Sequence, residues 1–500
     1  MLRCLVVNSC RVNTNYRYFT SNTTKKVITF VPPIDIEKKI STPSKMNFYS
    51  NYICWNEKNN ECLLIQNNER EEESDLYSRK EIEPVPYGFL GFPITKELNN
   101  DGLQNIGKQA FYLGSLVTPY YLGKLSRNQY NYYLVNIKGD ESEKVSLERH
   151  LVKTNNSRTQ WTTADKVLQS FRQCLNMVTP ETKYMLQLLD QLHLALNKKN
   201  IQPESDDTVG CQVPLEYAPN IESVPIRSNT LIPFNTTNLI VSIDKNEALF
   251  IDPGANTDGA THFKNYIEEK LKNKSLSKDS KVYIFITHNH KDHWEGIGIL
   301  LHYFPQATLI AHPNTIETIP YDIVNKQAVK GSKLEINCLD TTSSDNIITV
   351  GDRQFLIIST PGHTSDSLSL FEPKSKTLIA GDHLVGWGSS ILDFDSGDMK
   401  DYMDSTRDII KYLQPKIALP AHGPSNYSPV VLLNNYLKHR QSRENEILDA
   451  YNAGNTSLND ILKVVYQNID PKLERLARGN IHLHLTKLQK DSKIPPNSTQ

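Results

Sequence analysis

Three histidines and one aspartate lie within six residues of one another in the stretch THNHKDH, residues 287–293. They are His288, His290, Asp292 and His293. Imidazole nitrogens and carboxylate oxygens are both good ligands for a divalent cation. Side chains of these types, packed this closely, would repel one another's protons and lose hydration unless a cation lay between them. The stretch therefore predicts a metal site, with a chance polar loop as the alternative.

Three more ligand-type side chains follow, each just beyond an apolar run that predicts a β-strand. The runs are residues 355–359, 377–380 and 417–419, and the side chains beyond them are those of His363, Asp382 and His422. Another apolar run, residues 281–287, leads into the histidine stretch in the same way, and a helix is predicted over residues 294–303. Four strands therefore each deliver ligands at their carboxyl ends, where one sheet edge can gather them around a point.

The ordered series His-x-His-x-Asp-His, His, Asp, His resembles the metallo-β-lactamase superfamily, with all seven ligand positions of its dinuclear hydrolases filled. The resemblance implies an α/β fold, the αββα sandwich, in which two sheets lie between outer helices. It also implies a first metal held by His288, His290 and His363, a second held by Asp292, His293 and His422, and a bridge formed by Asp382. Zinc, two ions per chain, is the expected metal for so many histidines, while iron or manganese would accept the same ligands.

An upstream strand, residues 248–251, leads to Asp252 in an Asp-Pro-Gly sequence. In the superfamily that this chain resembles, an aspartate at this place usually braces the histidine loop. An ordinary turn formed by Asp-Pro-Gly is the alternative for this residue.

Further segments narrow the resemblance to the β-lactamase-like protein 2 family. They are GDHLVGWG at 381–388, DYMDS at 401–405, AHGP at 421–424 and KHRQSR at 438–443. Members of that family are associated with endonucleolytic cleavage of single-stranded RNA. The resemblance therefore implies this activity, and single-stranded RNA as the partner.

The expected chemistry is hydrolysis at a pair of metal ions. Such a pair lowers the pKa of a bound water from about 16 to about 7 and stabilises negative charge on the attacked group. For a phosphodiester, Asp292 is the expected catalytic residue, as a ligand that also accepts a proton. His383 and His312 are the candidates for the acid that protonates the leaving group, and a packing or surface role is the alternative for both.

The ligands alone do not select the substrate. Antibiotic hydrolysis is disfavoured, because the dizinc β-lactamases of this superfamily carry a cysteine where this chain has Asp382. A thioester hydrolase of the glyoxalase II kind remains the enzymatic alternative, although the chain shows no convincing basic cluster for glutathione. An RNA-binding or scaffold protein with an idle metal site is the alternative of another class.

Composition agrees with a multi-domain metalloprotein. A chain of 500 residues with 38% hydrophobic content exceeds the usual size of one domain. Its net charge of −1 provides no general basic field, so RNA binding would need a local patch. The seven cysteines form no Cys-x-x-Cys pair, which predicts a reducing compartment. No apolar run approaches the roughly 18 residues of a membrane helix, so we expect no membrane partner.

The region before the ligand strands predicts three segments. Residues 1–34 carry five basic and no acidic residues, which is typical of a mitochondrial transit peptide and predicts the matrix; a basic tail on a cytoplasmic protein is the alternative. Residues 46–200 predict an accessory α/β domain that resembles a Nudix domain without its acidic metal-binding helix. Residues 201–214 are the predicted linker, and the hydrolase domain is expected over 215–428.

Residues 429–494 predict a helical extension that resembles a winged helix. His439, Arg440 and Arg443 are the predicted substrate contacts, through the RNA backbone. A weaker basic cap is expected from Lys472, Arg475, Arg478, Lys487, Lys490 and Lys493. Ordinary solvated helix faces are the alternative for these cations.

Overall fold

The computed structural model describes the chain in segments. These are residues 46–56, 61–67, 90–92, 94–95, 110–117, 127–137, 157–180, 215–230, 234–320, 335–338, 346–386, 388–467, 469 and 471–495, with single positions within 142–148 and 182–189. The predicted transit segment and linker lie outside them. The chain divides into two compact units, Met1–Glu71 with Arg79–Pro225, and Glu72–Ser78 with Ile226–Gln500. The domain boundaries drawn from the sequence stay predictions.

The first unit is built on a mixed sheet. Its strands are β1 (Met46–Asn56), β2 (Glu61–Asn67), β3 (Leu90–Gly91), β4 (Ile94–Thr95), β5 (Ala110–Val117), β6 (Arg127–Asn136) and β7 (Ser157–Thr163). The order is β3-β2-β1-β6-β5, with β4 on β1 and β7 on β2. Strands β1 and β2 form an antiparallel pair, and β1 runs parallel to β6. A short hairpin, β8 (Leu215–Ala218) and β9 (Ile221–Arg227), follows later in the chain.

Strand β7 leads directly into a helix. Helix α1 spans Ala164–Arg172, because Trp161 and Thr163 are still paired with Leu63 and Glu61 in the sheet. The Trp161 indole also donates to Glu148 Oε1 over 2.6 Å. The helix therefore begins where the pairing of β7 with β2 ends.

The second unit contains two sheets. The first has β10 (Thr236–Asp244), β11 (Glu247–Ile251), β12 (Lys281–Phe285), β13 (Thr308–Ala311) and β14 (Glu335–Cys338), in that order. The second has β15 (Ile347–Val350), β16 (Arg353–Ser359), β17 (Leu368–Glu372), β18 (Thr377–Gly381) and β19 (Ile417–Pro420), also in chain order. Strands β11 to β14 run parallel to one another, whereas β10 is antiparallel to β11, and the pair β18–β19 is parallel.

Helices cover these sheets. They are α2 (Ala260–Lys272), α3 (Lys291–Trp294), α4 (Ile297–Tyr303), α5 (Pro313–Thr318), α6 (Met399–Asp408) and α7 (Pro429–Asn452). Every residue of β13, β17, β18 and β19 is buried, as expected for strands covered on both faces. Leu378 and Ala418 of the second sheet share one apolar cluster with Tyr402 of α6 and Leu433 of α7. The predicted αββα sandwich is confirmed.

The C-terminal extension packs through α7, α8 (Leu458–Val465) and α9 (Glu474–Lys490) around an apolar cluster that includes Ile447, Ile461 and Ile481. Beside it, the fully buried carboxylate of Glu444 lies 2.7 Å from Lys487 Nζ and 2.9 Å from Lys493 Nζ. None of the helices described here is both long enough and apolar enough to cross a bilayer.

The Glu444 ion pairs predict a large effect of one substitution. Glu444→Gln leaves the buried Lys487 ammonium with less compensation and should lower the free energy of unfolding by about 3 kcal/mol. Chemical denaturation of the full chain measures this. Glu446→Gln is the matched control, because Glu446 pairs with Arg443 at the surface and should cost less than about 1 kcal/mol. If both variants lowered the free energy of unfolding equally, the stabilising role of the buried Glu444 ion pairs would be contradicted.

The same pair predicts a pH dependence. Burial raises the pKa of Glu444, but His484, Lys487 and Lys493 outweigh burial and hold the pKa well below its ordinary value of 4.5. A depressed pKa stabilises the fold above the unfolded-state value, and this stabilisation is lost as pH falls. The difference between wild type and Glu444→Gln should therefore be complete at neutral pH and shrink progressively below pH 4.5. If the stability difference between the two proteins did not change with pH, the depressed pKa of Glu444 would be contradicted.

Candidate metal centre

The structure brings all seven predicted ligands together at the carboxyl ends of four strands. His288 and His290 follow β12, and Asp292 and His293 lie in the single turn of α3. His363, Asp382 and His422 follow β16, β18 and β19. The side chains form one group of His288, His290, His363 and Asp382, and another of Asp292, His293 and His422. Within each group the ligand atoms lie within 4.8 Å of one another.

In the first group, three imidazole nitrogens converge. His290 Nδ1 lies 2.9 Å from His288 Nε2 and 3.2 Å from His363 Nε2. Three ligand nitrogens on a tetrahedral metal at 2.0–2.1 Å would be separated by roughly 3.3 Å. The spacing of these nitrogens is therefore close to that of a metal-bound set.

Asp382 faces both groups. Its Oδ2 lies 3.6 Å from His363 Nε2 and 3.7 Å from His293 Nε2, whereas its Oδ1 lies 3.4 Å from His422 Nε2. In the second group, Asp292 Oδ2 lies 3.3 Å from His422 Nε2. The Asp382 carboxylate thus lies between the two ligand groups.

Hydrogen bonds on the outer ring nitrogens fix the tautomers of two of these histidines. His363 Nδ1 lies 2.7 Å from the Ile391 carbonyl, and His422 Nδ1 lies 3.0 Å from the Thr236 carbonyl. A carbonyl only accepts, so each Nδ1 carries a proton, and in the neutral imidazole each Nε2 presents a lone pair to the cluster.

Thr287 and Asp252 fix the tautomers of two more histidines, His288 and His293. Asp252 accepts from the backbone N–H and the hydroxyl of Thr287, both at 2.8 Å, and its Oδ2 lies 2.9 Å from His293 Nδ1. Because the Thr287 hydroxyl donates to Asp252, it can only accept from His288 Nδ1, 3.0 Å away. In their neutral forms, both histidines therefore turn an unprotonated Nε2 inward, and Asp252 braces the loop as the sequence resemblance implied.

These tautomers leave lone pairs pointing at one another with no hydrogen between them. His293 Nε2 and Asp382 Oδ1 are buried and have no hydrogen-bond partner among the described residues. Buried polar atoms without partners are costly, and a divalent cation is the group that accepts several nitrogen and oxygen lone pairs at once. The residues present therefore fit divalent metal ions.

The pKa values follow the same charge distribution. Burial lowers the pKa of His363 to about 4 and holds the pKa of His288 well below its ordinary range. Burial also acts to lower the pKa of His293, but the carboxylates of Asp252 and Asp382 raise it well above its ordinary value. The carboxylates beside the second group therefore favour positive charge at this position, which a bound divalent cation would supply.

Close backbone contacts explain the glycines beside the ligands. A Cβ on Gly254 would lie 1.5 Å from the Asp292 carbonyl oxygen. Gly381 has a φ of +52°, and a Cβ there would lie 2.8 Å from Thr287 Oγ1. Asp252 itself adopts a φ of +52°, a left-handed conformation that aspartate tolerates better than most side chains.

The two candidate leaving-group acids lie outside the cluster. His383 is buried against Tyr402, with ring centroids 4.6 Å apart, and its Nε2 lies 3.0 Å from Thr406 Oγ1. Burial lowers the pKa of His383 to about 3. His312 caps α5 by accepting from Asn314 N over 3.2 Å. These contacts favour the packing and surface alternatives for both residues.

The predicted substrate contacts in the extension differ from one another. Arg440 is only 4% exposed and donates to the Ser390 carbonyl, which favours a packing role over contact with RNA. Arg443 lies over the Tyr466 ring at 4.3 Å and pairs with Glu446, and His439 is exposed on α7. Substrate binding by these residues stays a prediction.

Several cations of the predicted basic cap are paired within the chain. Arg478 pairs with Glu474, Lys487 and Lys493 pair with Glu444, and Lys490 pairs with Asp398. A pair of opposite charges has little net field, so these cations attract phosphate weakly. Arg475 is exposed on α9 and no ion pair is described for it.

Sequence reasoning missed three side chains around the ligands. Asp393 Oδ2 lies 3.4 Å from His290 Nε2, Thr230 Oγ1 lies 3.3 Å from His422 Nε2, and the Phe234 ring stacks on His422 at 5.7 Å. Asp393 lies in a segment ending in Ser396-Gly397, which has the composition of a turn, and nothing in the sequence marks it as a neighbour of His290.

The Asp252 brace predicts a change in metal affinity. Asp252→Asn keeps an acceptor for the Thr287 N–H and tolerates the left-handed backbone, but it removes the carboxylate that accepts from His293. Divalent-metal affinity should fall about 10- to 100-fold. Competition with a chromophoric chelator measures it. Asp258→Asn is the control, because Asp258 is an exposed side chain that pairs only with Arg227 among the described contacts. Unchanged affinity in Asp252→Asn would contradict the brace.

Known proteins resemble this chain in two regions. A model of the metallo-beta-lactamase superfamily matches residues 233–422, and one of the beta-lactamase associated winged helix domain matches residues 457–498. A Beta-lactamase-like protein 2 homolog of Drosophila melanogaster is 27% identical over 274 residues, 52% of this chain and 84% of that protein. A Beta-lactamase-like protein 2 homolog of Caenorhabditis elegans is 28% identical over 233 residues, which are 45% of this chain and 70% of that protein.

Among solved structures, a metallo-beta-lactamase family protein from Thermus thermophilus covers 55% of this chain and 94% of its own, with 17% identity and a TM-score of 0.42. The regions matched by the two family models coincide with the sandwich that carries the ligands and with the helical extension. The two relatives support the narrower β-lactamase-like protein 2 family. The chain therefore carries a metallo-beta-lactamase domain followed by a beta-lactamase associated winged helix domain.

Proposed function

We propose that this metal-dependent hydrolase is an endoribonuclease that cleaves single-stranded RNA at a dinuclear centre. The observation that carries the dinuclear part is the Asp382 carboxylate, whose two oxygens face separate histidines of the two ligand groups. The ribonuclease part is supported by the four segments that resemble the β-lactamase-like protein 2 family. Zinc is the expected metal, because five of the seven ligands are histidines.

Bound metal would supply a hydroxide nucleophile at neutral pH and stabilise negative charge on the attacked phosphate. The chain's own groups orient and accept protons. Burial acts to raise the pKa of Asp292, but His293 and His422 lower it below its ordinary range. Asp292 therefore stays ionised, which suits a ligand of a divalent cation, and its 16% exposed side chain leaves it within reach of solvent as the proposed proton acceptor.

Two alternative functions remain, and they differ from the ribonuclease in their substrate or in having none. The internal ion pairs of the extension weaken the case for RNA contact through the distal lysines, so a thioester of the glyoxalase II kind stays the second candidate. A scaffold with an idle site is the third, and seven converging ligands count against it. RNA as the partner and the mitochondrial matrix as the location are proposals that come from the sequence.

The proposal predicts metal-dependent cleavage of RNA. The metal-loaded full chain should cut a fluorescent single-stranded RNA internally, and Asp292→Ala should reduce the rate more than about a hundredfold, because it removes both a ligand and the proton acceptor. Gel electrophoresis of the products measures the rate. Asp408→Ala, an exposed carboxylate of α6, should cut like the wild type.

Two outcomes would contradict the ribonuclease. Equal cutting by wild type, Asp292→Ala and chelated protein would indicate a contaminating nuclease. Absence of cutting, together with hydrolysis of a glutathione thioester that Asp292→Ala abolishes, would assign the second candidate instead.

The dinuclear proposal predicts metal stoichiometry. The wild type should bind two zinc ions, whereas His363→Ala and His422→Ala should each retain one, because each removes a ligand of a different group. Asp382→Asn should weaken the binding of both ions, since the Asp382 carboxylate faces both groups. Elemental analysis after dialysis against buffered zinc measures the ratio. One ion per wild-type chain would contradict a dinuclear centre.

A further inference from the structure

One ligand, His290, obtains its outer hydrogen bond from a segment distant in sequence. Its Nε2 lies 3.4 Å from Asp393 Oδ2, in the segment 388–398 that follows Asp382. We propose that Asp393 is a positioning residue, which holds the His290 ring and its tautomer and thereby sets the affinity of the first ligand group for a divalent cation. The proposal rests on metal binding and does not depend on RNA as the substrate.

The Asp393 carboxylate is fixed by its own turn. Its Oδ1 accepts from Asp395 N at 2.9 Å, from Ser396 N at 2.8 Å and from Ser396 Oγ at 3.0 Å. The Asp393 N–H donates to the His363 carbonyl at 2.9 Å. With one oxygen and the backbone occupied, the remaining oxygen has a defined direction, which is toward His290.

That direction matters because His290 faces the cluster with Nδ1. When Nε2–H donates to Asp393, Nδ1 keeps its lone pair and points it at the Nε2 atoms of His288 and His363, 2.9 and 3.2 Å away. The other tautomer would place a proton on Nδ1 and exclude a metal bond. A carboxylate that accepts from the outer nitrogen also makes the imidazole a stronger ligand.

The same segment contacts two other ligands of the first group. The Ile391 carbonyl accepts from His363 Nδ1 at 2.7 Å, and Ser390 Oγ donates to the Asp382 carbonyl at 2.5 Å. Helices of the C-terminal extension contact the segment in turn. Arg440 donates to the Ser390 carbonyl, and a Cβ on Gly479 would lie 2.0 Å from Phe394 Cε1. The segment that carries Asp393 therefore contacts the first ligand group on one side and the C-terminal helices on the other.

The test is Asp393→Asn in the full chain. The asparagine oxygen can keep the turn bonds, but its amide would then donate toward His290 Nε2 and favour the tautomer that carries a proton on Nδ1. Binding of Co²⁺ or Zn²⁺ to metal-free protein is measured by competition with a chromophoric chelator. The measurement is repeated in the His422→Ala background, where the first group is the remaining complete set.

We expect Asp393→Asn to weaken binding of one cation about 10- to 100-fold in both backgrounds, with a changed visible spectrum of bound Co²⁺. Binding of the other cation should stay within about threefold. Asp395→Asn is the matched control, because Asp395 is exposed in the same turn and contributes only its backbone N–H to Asp393. It should bind like the wild type.

Asp393→Ser provides a second variant if Asp393→Asn does not fold without metal. Its hydroxyl can accept from the Asp395 and Ser396 N–H groups but presents no carboxylate to His290. Weakening of one cation by this variant supports the proposal. Wild-type affinity in either folded variant, or equal weakening of both cations, would overturn it.

Discussion

Repulsion within a buried set of imidazole lone pairs and carboxylates is the constraint on which this metal centre depends. The outer hydrogen bonds of His288, His293, His363 and His422 each commit a proton away from the cluster. The inner nitrogens are then acceptors facing acceptors, an arrangement that is stable only around positive charge. The chain thus carries the free-energy cost of a prepared site, which divalent cations offset on binding.

The αββα sandwich makes this preparation possible. Ligands at the ends of β12, β16, β18 and β19 are fixed by strands that belong to the two hydrogen-bonded sheets. The Leu368 N–H donates to the Thr287 carbonyl, and Asn238 Nδ2 donates to the Pro420 and Gly423 carbonyls, so the two sheets are also linked beside the site. The segment 388–398 joins the site to the C-terminal helices. Those helices therefore support the ligands as well as extending the surface.

The ligands could be predicted because each follows an apolar run and belongs to a residue type that binds metals. Asp252 could be predicted only through the resemblance, since Asp-Pro-Gly alone indicates a turn. Asp393 was missed for a related reason: an aspartate before Ser396-Gly397 also indicates a turn, and its second oxygen reaches His290 only through the fold. Such long-range pairs leave no periodic pattern in the sequence.

Arg440 is a predicted substrate contact, yet its side chain is buried, and the reason is again a long-range contact. Its charge and its place among other cations suggest a solvated face, and α7 is helical as predicted. Periodicity cannot show that the segment 388–398 and the Tyr402 ring contact this side of α7, where the guanidinium is buried.

Anomalous diffraction from crystals of the zinc-loaded chain, recorded on both sides of the zinc absorption edge, tests the central claim most directly. The account predicts two peaks, one among His288, His290 and His363 and one among Asp292, His293 and His422, with Asp382 between them. A single peak, or zinc bound away from these side chains, would contradict a dinuclear centre at the strand ends.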